Sequence, residues 1–282
     1  MKTKPRFYDG PRMSDLAAEA EADWTASRLA EDRAAGRTVL GFQGWTHMPS
    51  ALLAREALLD ELGALVQGGS AVALQVTVTG LGATVAEPGI RPAAEEIGAL
   101  QEVMSRLGVG WEAVCARIDP LQSFVREDGE EISNLGTAPA LIRRLATLGA
   151  RRFRTSVIQL ARYRSKIVPR LERRGLRLEV PEGERLRSAV ASMRREAENA
   201  GAELRSCAFE MPGLAPGACF DPAWFRTLCR RAERNIDALW RKEKAVAPRR
   251  GCLCARPADA RMMKIPARGP CPGRCAACYA QR

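Results

Sequence analysis

The sequence has little histidine and few aromatic residues. Its only histidine, His47, stands among 282 residues. A histidine-based metal site or a Ser-His-Asp triad would therefore depend on this one side chain, and a lone histidine more often has a structural role. Aromatic residues make up only 5% of the chain, so the core has to be built from Ala, Leu, Val and Ile.

Several familiar motifs are also missing. The chain has neither a G-x-x-x-x-G-K-S/T loop nor a G-x-G-x-x-G fingerprint, which removes most support for nucleotide hydrolysis and dinucleotide binding. Charged residues interrupt the apolar runs, and no run approaches the roughly 18 apolar residues of a transmembrane helix. We therefore expect a protein of the reducing cytoplasm with no membrane partner. In that compartment, clustered cysteines more often serve metal or redox chemistry than disulfides.

Cysteine, by contrast, is concentrated in one region. Eight of the nine cysteines lie in the final third of the chain, and five form a terminal array. The array reads Cys252-Leu-Cys254, sixteen intervening residues, then Cys271-Pro-Gly-Arg-Cys275-Ala-Ala-Cys278. Thiolates three and four positions apart in such a loop can converge on one centre, because each supplies a soft, anionic sulfur. The array predicts a bound metal ion or an iron–sulfur cluster.

Seven of the cysteines divide into a group of four and a group of three. The hypothesis is that the first group fully ligates one centre and the second holds an open cluster. The two groups are Cys207, Cys219, Cys252 and Cys254, and Cys271, Cys275 and Cys278. Cys115 falls in a predicted strand and Cys229 in a predicted helix, and both are assigned to packing.

The positive charge is concentrated in the same part of the chain. Residues 226–282 hold 15 Lys/Arg and 4 Asp/Glu, an excess that equals the net charge of +11 for the whole chain. Part of this excess offsets the negative charge of thiolates. The rest suggests an acidic partner, either nucleic acid or an acidic flavodoxin- or ferredoxin-like electron donor. A solvated basic face is the alternative interpretation.

Strand and helix signals alternate along the chain. Strands are predicted at 38–44, 71–79, 111–118, 152–158 and 203–207, with a further one near 176–180, and helices at 11–36, 50–66, 92–107, 138–148 and 182–199. This order predicts a mainly parallel sheet in a partial or six-unit (βα) barrel, with a doubly wound open sheet as the alternative. Three regions follow: an N-terminal helical segment (1–37), a barrel-like α/β domain (38–225) and a basic, cysteine-rich segment (226–282).

Polar residues follow the predicted strands, at the edge where parallel α/β proteins place their active sites. Glu87 follows the second strand, Arg117 and Asp119 end the third, and the fourth carries Ser156. Arg–Asp pairs also brace loops without any catalytic role. We nevertheless expect these four residues to contact a cofactor or substrate.

The terminal motifs resemble those of an uncharacterised bacterial family, domain of unknown function eighteen-forty-eight. Its members end in C-x-C followed by C-x3-C-x2-C-Y-A. This chain has Cys252-Leu-Cys254 followed by CPGRCAACYA at 271–280. The similarity includes CAFEMPGLAPGACFD (207–221), RIDP (117–120), VTVTGLG…EP (76–88) and WTHMP (45–49), and spans roughly residues 38–282. The family's W-T-K-N-P element is W-T-H-M-P here.

The C-x3-C-x2-C spacing is also similar to that of radical S-adenosylmethionine enzymes. In those enzymes three thiolates hold a [4Fe-4S] cluster and leave one iron open to the cofactor. Their triad usually follows the first strand and has an aromatic residue before its third cysteine. Here the triad lies near the C-terminus, and Tyr279 follows the third cysteine. The resemblance implies one or two [4Fe-4S] clusters and S-adenosylmethionine, with Cys271, Cys275, Cys278 and Tyr279 binding the cofactor.

We therefore expect an iron–sulfur protein, a non-standard radical S-adenosylmethionine-type or other redox enzyme of unknown substrate. The alternative is a zinc-stapled basic nucleic-acid-binding protein, because four thiolates at similar spacing hold tetrahedral zinc. The strained C-x-C pair and a triad without an obvious fourth ligand disfavour zinc. A non-catalytic iron–sulfur protein is the third interpretation.

Overall fold

A computed structural model gives the fold of the chain. It describes residues 4–11, 14–207, 210–230, 243–245, 253–257, 260–267 and 271–278. Two of the predicted ligands, Cys252 and Tyr279, lie outside these residues.

The strands of the described residues are mostly short. They are β1 (Arg6–Gly10), β2 (Val39–Thr46), β3 (Ala71–Thr77), β4 (Val114–Leu121), β5 (Ser123–Arg126), β6 (Glu131–Ser133), β7 (Arg152–Val157), β8 (Leu176–Glu179), β9 (Glu203–Cys207), β10 (Pro216–Gly217), β11 (Glu243–Ala245), β12 (Ala255–Pro257) and β13 (Arg261–Lys264).

Helices connect most of the long strands. They are α1 (Glu19–Ala34), α2 (Pro49–Leu52), α3 (Glu56–Gln67), α4 (Ala93–Leu107), α5 (Ala138–Thr147), α6 (Leu160–Glu172), α7 (Gly183–Asn199) and α8 (Pro222–Leu228). Within the described residues, no helix has the length and apolar character needed to cross a membrane.

Eight strands form one parallel sheet, as the alternating pattern predicted. Its order is β10-β9-β7-β4-β3-β2-β1-β13, and neighbouring strands pair in parallel throughout. From β1 to β9 the strands follow chain order, as expected for successive βα units. β10 and β13 are the two edges of the sheet in the described residues, so closure into a barrel stays a prediction.

The sequence of β3 shows how the sheet divides into two faces. Successive side chains of a strand point to opposite faces. Val72, Leu74 and Val76 pack into one apolar cluster with α1, α3, α4, α5 and α7. Ala71 and Ala73 face the other side, called here the α8 face, where they pack with α8. A doubly wound sheet carries its crossover helices on both faces, so this one-sided arrangement disfavours that alternative.

Two strand predictions need correction. The strand near 176–180 exists as β8, but it pairs antiparallel with β5 in a separate sheet. A strand of the main sheet instead comes from β1, in the segment predicted to be helical. β1 carries a charged residue in the core, Arg6, because the buried Asp32 of α1 pairs with it at 2.5 Å. A charged residue in so short a run conceals the strand signal.

Candidate metal centres

The terminal cysteine loop lies at the edge of the sheet where the strands end. β13 pairs in parallel with β1, with Lys264 opposite Asp9, and Cys271 follows seven residues after the end of β13. Because the carboxyl ends of parallel strands meet at one edge, loops that follow different strands can meet there. The triad comes last in the sequence, but in space it follows a strand of the main sheet.

The loop after β3 holds the cysteine loop through its backbone. The Gly89 N–H donates a hydrogen bond to the Gly273 carbonyl at 3.2 Å, and the Ala276 N–H donates to the Ala86 carbonyl at 2.7 Å. A Cβ atom added to Gly89 would lie 2.2 Å from the Pro272 oxygen. Only glycine permits this close approach of two backbones.

Within the loop, two thiols of the triad flank one glycine. A Cβ atom added to Gly273 would lie 3.6 Å from the Sγ atoms of both Cys271 and Cys275. Arg274, between these cysteines, has a positive φ of 47°, an unfavourable conformation for a residue with a side chain and one often found at functional sites. The Cys278 N–H closes the turn by donating to the Cys275 carbonyl at 3.2 Å.

The surroundings of Cys271 and Cys275 keep these two thiols protonated when no cation is present. Burial, reinforced by the carboxylate of Asp15, raises the pKa of Cys271 to about 12. Burial and the neighbouring Glu87 carboxylate raise the pKa of Cys275 well above its ordinary value. A bound metal reverses this preference, because a coordinated thiol is deprotonated.

His47 lies between Glu87 and the triad. Its Nδ1 atom is 3.9 Å from Cys275 Sγ, and its Nε2 atom is 3.5 Å from Glu87 Oε2, which also accepts a hydrogen bond from the Thr79 hydroxyl. One potential ligand atom from each of His47, Glu87 and Cys275 lies within 4.8 Å of the other two. The sequence pattern assigned His47 no metal role. Its position directly after β2 was the signal that could have revealed one.

Asp15 is a second residue of this site that the sequence did not identify. Its buried carboxylate accepts hydrogen bonds from the His47 N–H at 2.6 Å and the Thr46 hydroxyl at 2.7 Å. Burial raises the pKa of Asp15, and the hydrogen bonds from His47, Thr46 and Ala17 partly offset this effect. The carboxylate fixes the backbone of His47. No motif around Asp15 points to this role.

A second group of thiols meets on the α8 face. The Sγ atoms of Cys207 and Cys219 are 3.3 Å apart. The backbone N–H groups of Cys219 and Phe220 both donate to Cys254 Sγ at 3.3 Å. The structure thus brings together the three described members of the predicted group of four.

Arg117 provides positive charge at this second group. Its Nη1 atom donates to Cys219 Sγ at 3.0 Å, its Nη2 atom pairs with Asp119, and its guanidinium lies over the Trp45 ring, 5.0 Å from the centroid. The Ser156 hydroxyl donates to Asp119. A hydrogen bond with Cys219 and burial raise the pKa of Cys207 above its ordinary value. The hydrogen bond with Cys207 and the charge of Arg117 lower the pKa of Cys219, but the contact with Cys254 and burial outweigh them, so this pKa is also raised above its ordinary value.

The four residues expected to contact a cofactor or substrate divide between the two sites. Arg117, Asp119 and Ser156 lie at the thiols of the α8 face, whereas Glu87 lies beside the terminal triad. Strand-end positions alone do not show which face a side chain occupies. The two cysteines assigned to packing belong to the apolar cluster of the α8 face: Cys115 is buried in β4, and the Cys229 thiol donates to the Gly69 carbonyl at 3.5 Å.

The fold and these sites define a class: mixed α/β proteins with a large parallel sheet and two groups of converging cysteines at the strand ends. Residues 24–280 match the family model described as "Domain of unknown function (DUF1848)". The chain belongs to this family, which confirms the resemblance drawn from its motifs. A comparison with curated proteins gives no match.

Proposed function

We propose that the protein is an iron–sulfur enzyme of the radical S-adenosylmethionine type or of another redox class, with a sheet that forms a partial barrel. The location of the triad carries this proposal. Cys271, Cys275 and Cys278 follow β13, an edge strand parallel to β1. In radical S-adenosylmethionine enzymes the triad follows the first strand. The spatial order β13-β1-β2-β3 reproduces that relation although the chain order differs.

The residues of the terminal loop fit a cluster. Cys271, Cys275 and Cys278 would hold it, since they supply three half-buried thiols and soft sulfur is the ligand that iron–sulfur clusters require. A bound [4Fe-4S] cluster supplies one-electron chemistry, and an iron without a protein ligand can accept S-adenosylmethionine. The loop after β3 is hydrogen-bonded to the cysteine loop at Gly273 and Ala276, and its apolar residues pack against Ala276 and Ala277.

Other side chains have separate roles in the proposal. Glu87 and His47 lie beside Cys275 and orient a cofactor or substrate next to the triad. At the α8 face, Arg117, Asp119 and Ser156 form a buried charged network around a second centre held by the remaining thiols. The substrate is proposed to bind along this edge of the sheet, between the two groups.

The surface beside the triad suggests where an electron donor binds. The Arg170 guanidinium of α6 donates to the Cys278 carbonyl. Arg174 donates to the carbonyls of Val85 at 3.2 Å and Arg274 at 2.7 Å. Burial and the like charges of neighbouring arginines lower the pKa of Arg174. A crowded cationic surface attracts an anionic partner, and we propose an acidic flavodoxin- or ferredoxin-like donor, with nucleic acid as the alternative.

A zinc-stapled binding protein is the second candidate, and one observation favours it. The triad lacked an obvious fourth ligand in the sequence, but His47 Nδ1 lies 3.9 Å from Cys275 Sγ. Three cysteines and one histidine are a common set of ligands for structural zinc. In that function the basic segment would bind nucleic acid.

Reductive cleavage of S-adenosylmethionine tests the proposal. Protein purified without oxygen is reduced with dithionite and incubated with S-adenosylmethionine, and the release of methionine is measured. We expect cleavage by the wild type and by Cys229→Ser, and none by Cys275→Ser. Wild-type protein that holds iron and sulfide but gives no cleavage would restrict the function to another redox class.

A further inference from the structure

Three side chains beside the triad have the spacing of ligands on one metal ion. One ligand atom from each of His47, Glu87 and Cys275 lies within 4.8 Å of the other two. On a tetrahedral zinc ion, a nitrogen, an oxygen and a sulfur ligand are roughly 3.3–3.6 Å apart, given bonds of about 2.0–2.3 Å. The His47 Nε2 and Glu87 Oε2 atoms already have this spacing, at 3.5 Å. The widest of the three separations exceeds the range by about 1.2 Å at most, which rotation of a side chain can close.

The carboxylate of Glu87 lacks the usual compensation for a buried negative charge. Glu87 is 2% exposed, and in the part of the chain that the structure describes no lysine or arginine forms an ion pair with it. It contacts the Thr79 hydroxyl and the His47 ring, and an imidazole is positively charged only when it is protonated. Buried charges are paired or coordinate metal ions. A cation bound between Glu87 and His47 would supply the missing charge.

Glu87 and His47 are held by contacts of the kind that orient metal ligands. The Thr79 hydroxyl donates to Glu87 and accepts the Leu81 N–H at 3.1 Å. The buried Asp15 carboxylate accepts the His47 N–H at 2.6 Å. Carboxylates that bind metals are themselves hydrogen-bonded, and such outer partners fix the orientation of the ligands. The two side chains are therefore positioned by the protein before any ion binds.

The ligand types and their charges suit a divalent ion of the zinc class. An imidazole nitrogen, a carboxylate oxygen and a thiolate sulfur are the three kinds of protein ligand that zinc takes. One carboxylate and one thiolate balance a divalent cation, so the loaded site has no net buried charge to compensate. His47 and Cys275 are only half-buried, which leaves one side of the site open. Catalytic zinc sites likewise have three protein ligands and a fourth position for water or substrate.

We propose that His47, Glu87 and Cys275 bind one divalent ion of the zinc class, whose fourth position takes water or an oxygen or nitrogen atom of a substrate. The inference goes beyond the proposed function and does not depend on it, because the ion needs only Cys275 from the triad. When the proposed cluster is also present, the Cys275 thiolate bridges the cluster and the ion. The ion then holds a coordinating group of the substrate next to the redox centre.

Zinc binding by variants of the full chain tests the inference. Protein purified without oxygen in the presence of a chelator is given excess zinc and desalted, and zinc, iron and sulfide per chain are measured. We expect about one zinc fewer in His47→Ala than in the wild type, as for a single-ion site, with iron and sulfide unchanged. Cys271→Ser should lose iron and sulfide but keep its zinc. The control, Cys229→Ser, should keep all three.

Two results would overturn the inference. One is zinc retained in full by His47→Ala. The other is zinc lost from Cys271→Ser, because that loss indicates a site of three cysteines and one histidine instead. Failure of the proposed function gives a different result: iron and sulfide are absent from every protein, while zinc still depends on His47 and not on Cys271.

X-ray absorption at the zinc edge of the zinc-loaded wild type does not depend on the folding of any variant. We expect more nitrogen and oxygen ligands, at about 2.0–2.2 Å, than sulfur ligands, at about 2.3 Å. Zinc bound mainly by sulfur, or no bound zinc, would overturn the inference.

Discussion

The Nδ1 atom of His47 lies 3.9 Å from the Sγ atom of Cys275, although the two residues are 228 positions apart in the chain. His47 directly follows β2, and Cys275 belongs to the loop that follows β13. The contact therefore joins the carboxyl ends of two strands of one parallel sheet. A triad that lies near the end of the sequence is thus placed where parallel α/β proteins carry out chemistry.

Replacement of Glu87 by Gln will make the proposed cluster easier to reduce. The change removes a buried negative charge next to Cys275, and the net charge near a cluster is one of the factors that set its potential. We expect a positive shift on the order of 60 mV, equivalent to a tenfold change in a one-electron equilibrium. A redox titration followed by electron paramagnetic resonance measures it. The control is Glu95→Gln, on the exposed side of α4, and an equal shift in both variants would contradict the account.

Replacement of Gly89 by Ala will push the loop after β3 away from the cysteine loop that carries the triad. The new Cβ atom would lie 2.2 Å from the Pro272 oxygen, and overpacking of this kind costs about 1–3 kcal/mol. We expect a lower melting temperature and less iron per chain. Gly98→Ala is the matched control, because a Cβ atom at Gly98 meets nothing within 4 Å. Unchanged iron content in Gly89→Ala would show that the loop contact does not position the triad.

Replacement of Arg117 by Gln will destabilise the fold. The change leaves Asp119 and Cys219 without their cationic partner in a buried site, and removal of one member of a buried pair costs about 3–5 kcal/mol. Urea unfolding measures the loss. The control, Arg143→Gln, breaks an exposed ion pair with Glu196 and should change little, because water screens such pairs. Equal stability of the two variants would contradict the role assigned to Arg117.

Reversal of the charge of Arg173 will slow reduction by a protein donor. Arg173 is exposed at the end of α6, near the crowded arginines beside the triad. We expect Arg173→Glu to lower the reduction rate by a flavodoxin about tenfold at low salt, because charge steers association. The rate with dithionite should not change. Arg194→Glu on α7 is the control. If Arg173→Glu instead binds nucleic acid less well and is reduced at an unchanged rate, nucleic acid would be supported as the partner.

Alkaline pH will destabilise the metal-free protein. The pKa of Cys271 rises on folding from 9.0 to about 12, so the folded state retains a proton that the unfolded state loses. Stability is therefore complete below pH 9 and falls as the pH rises towards 12. Thermal unfolding across this range measures the effect. Metal-loaded protein should not show this loss, because its thiols are already deprotonated.

Much of the fold could be predicted because apolar, β-branched runs such as Ala71–Thr77 identify buried parallel strands. β1 could not be found, because the charge of Arg6 is acceptable in the core only through Asp32, 26 positions away. Tertiary pairing of this kind leaves no local pattern in the sequence.

The candidate sites were predicted in part. The division of seven cysteines into a group of four and a group of three predicted that Cys207, Cys219 and Cys254 belong together. The structure brings these three together. The association of His47 with Cys275 could not be read from spacing, because it depends on the neighbouring positions of β13, β1 and β2 in the sheet. Sequence order does not show that β13 lies beside β1.

The central claim is that Cys271, Cys275 and Cys278 hold an iron–sulfur cluster. Analysis of iron and acid-labile sulfide in protein purified without oxygen, in the wild type, Cys275→Ser and Cys229→Ser, tests it most directly. The account predicts iron and sulfide in similar amounts, about four of each for one [4Fe-4S] cluster, retained in Cys229→Ser and lost in Cys275→Ser. Zinc without sulfide, bound through Cys275, would contradict it and establish the zinc-stapled alternative.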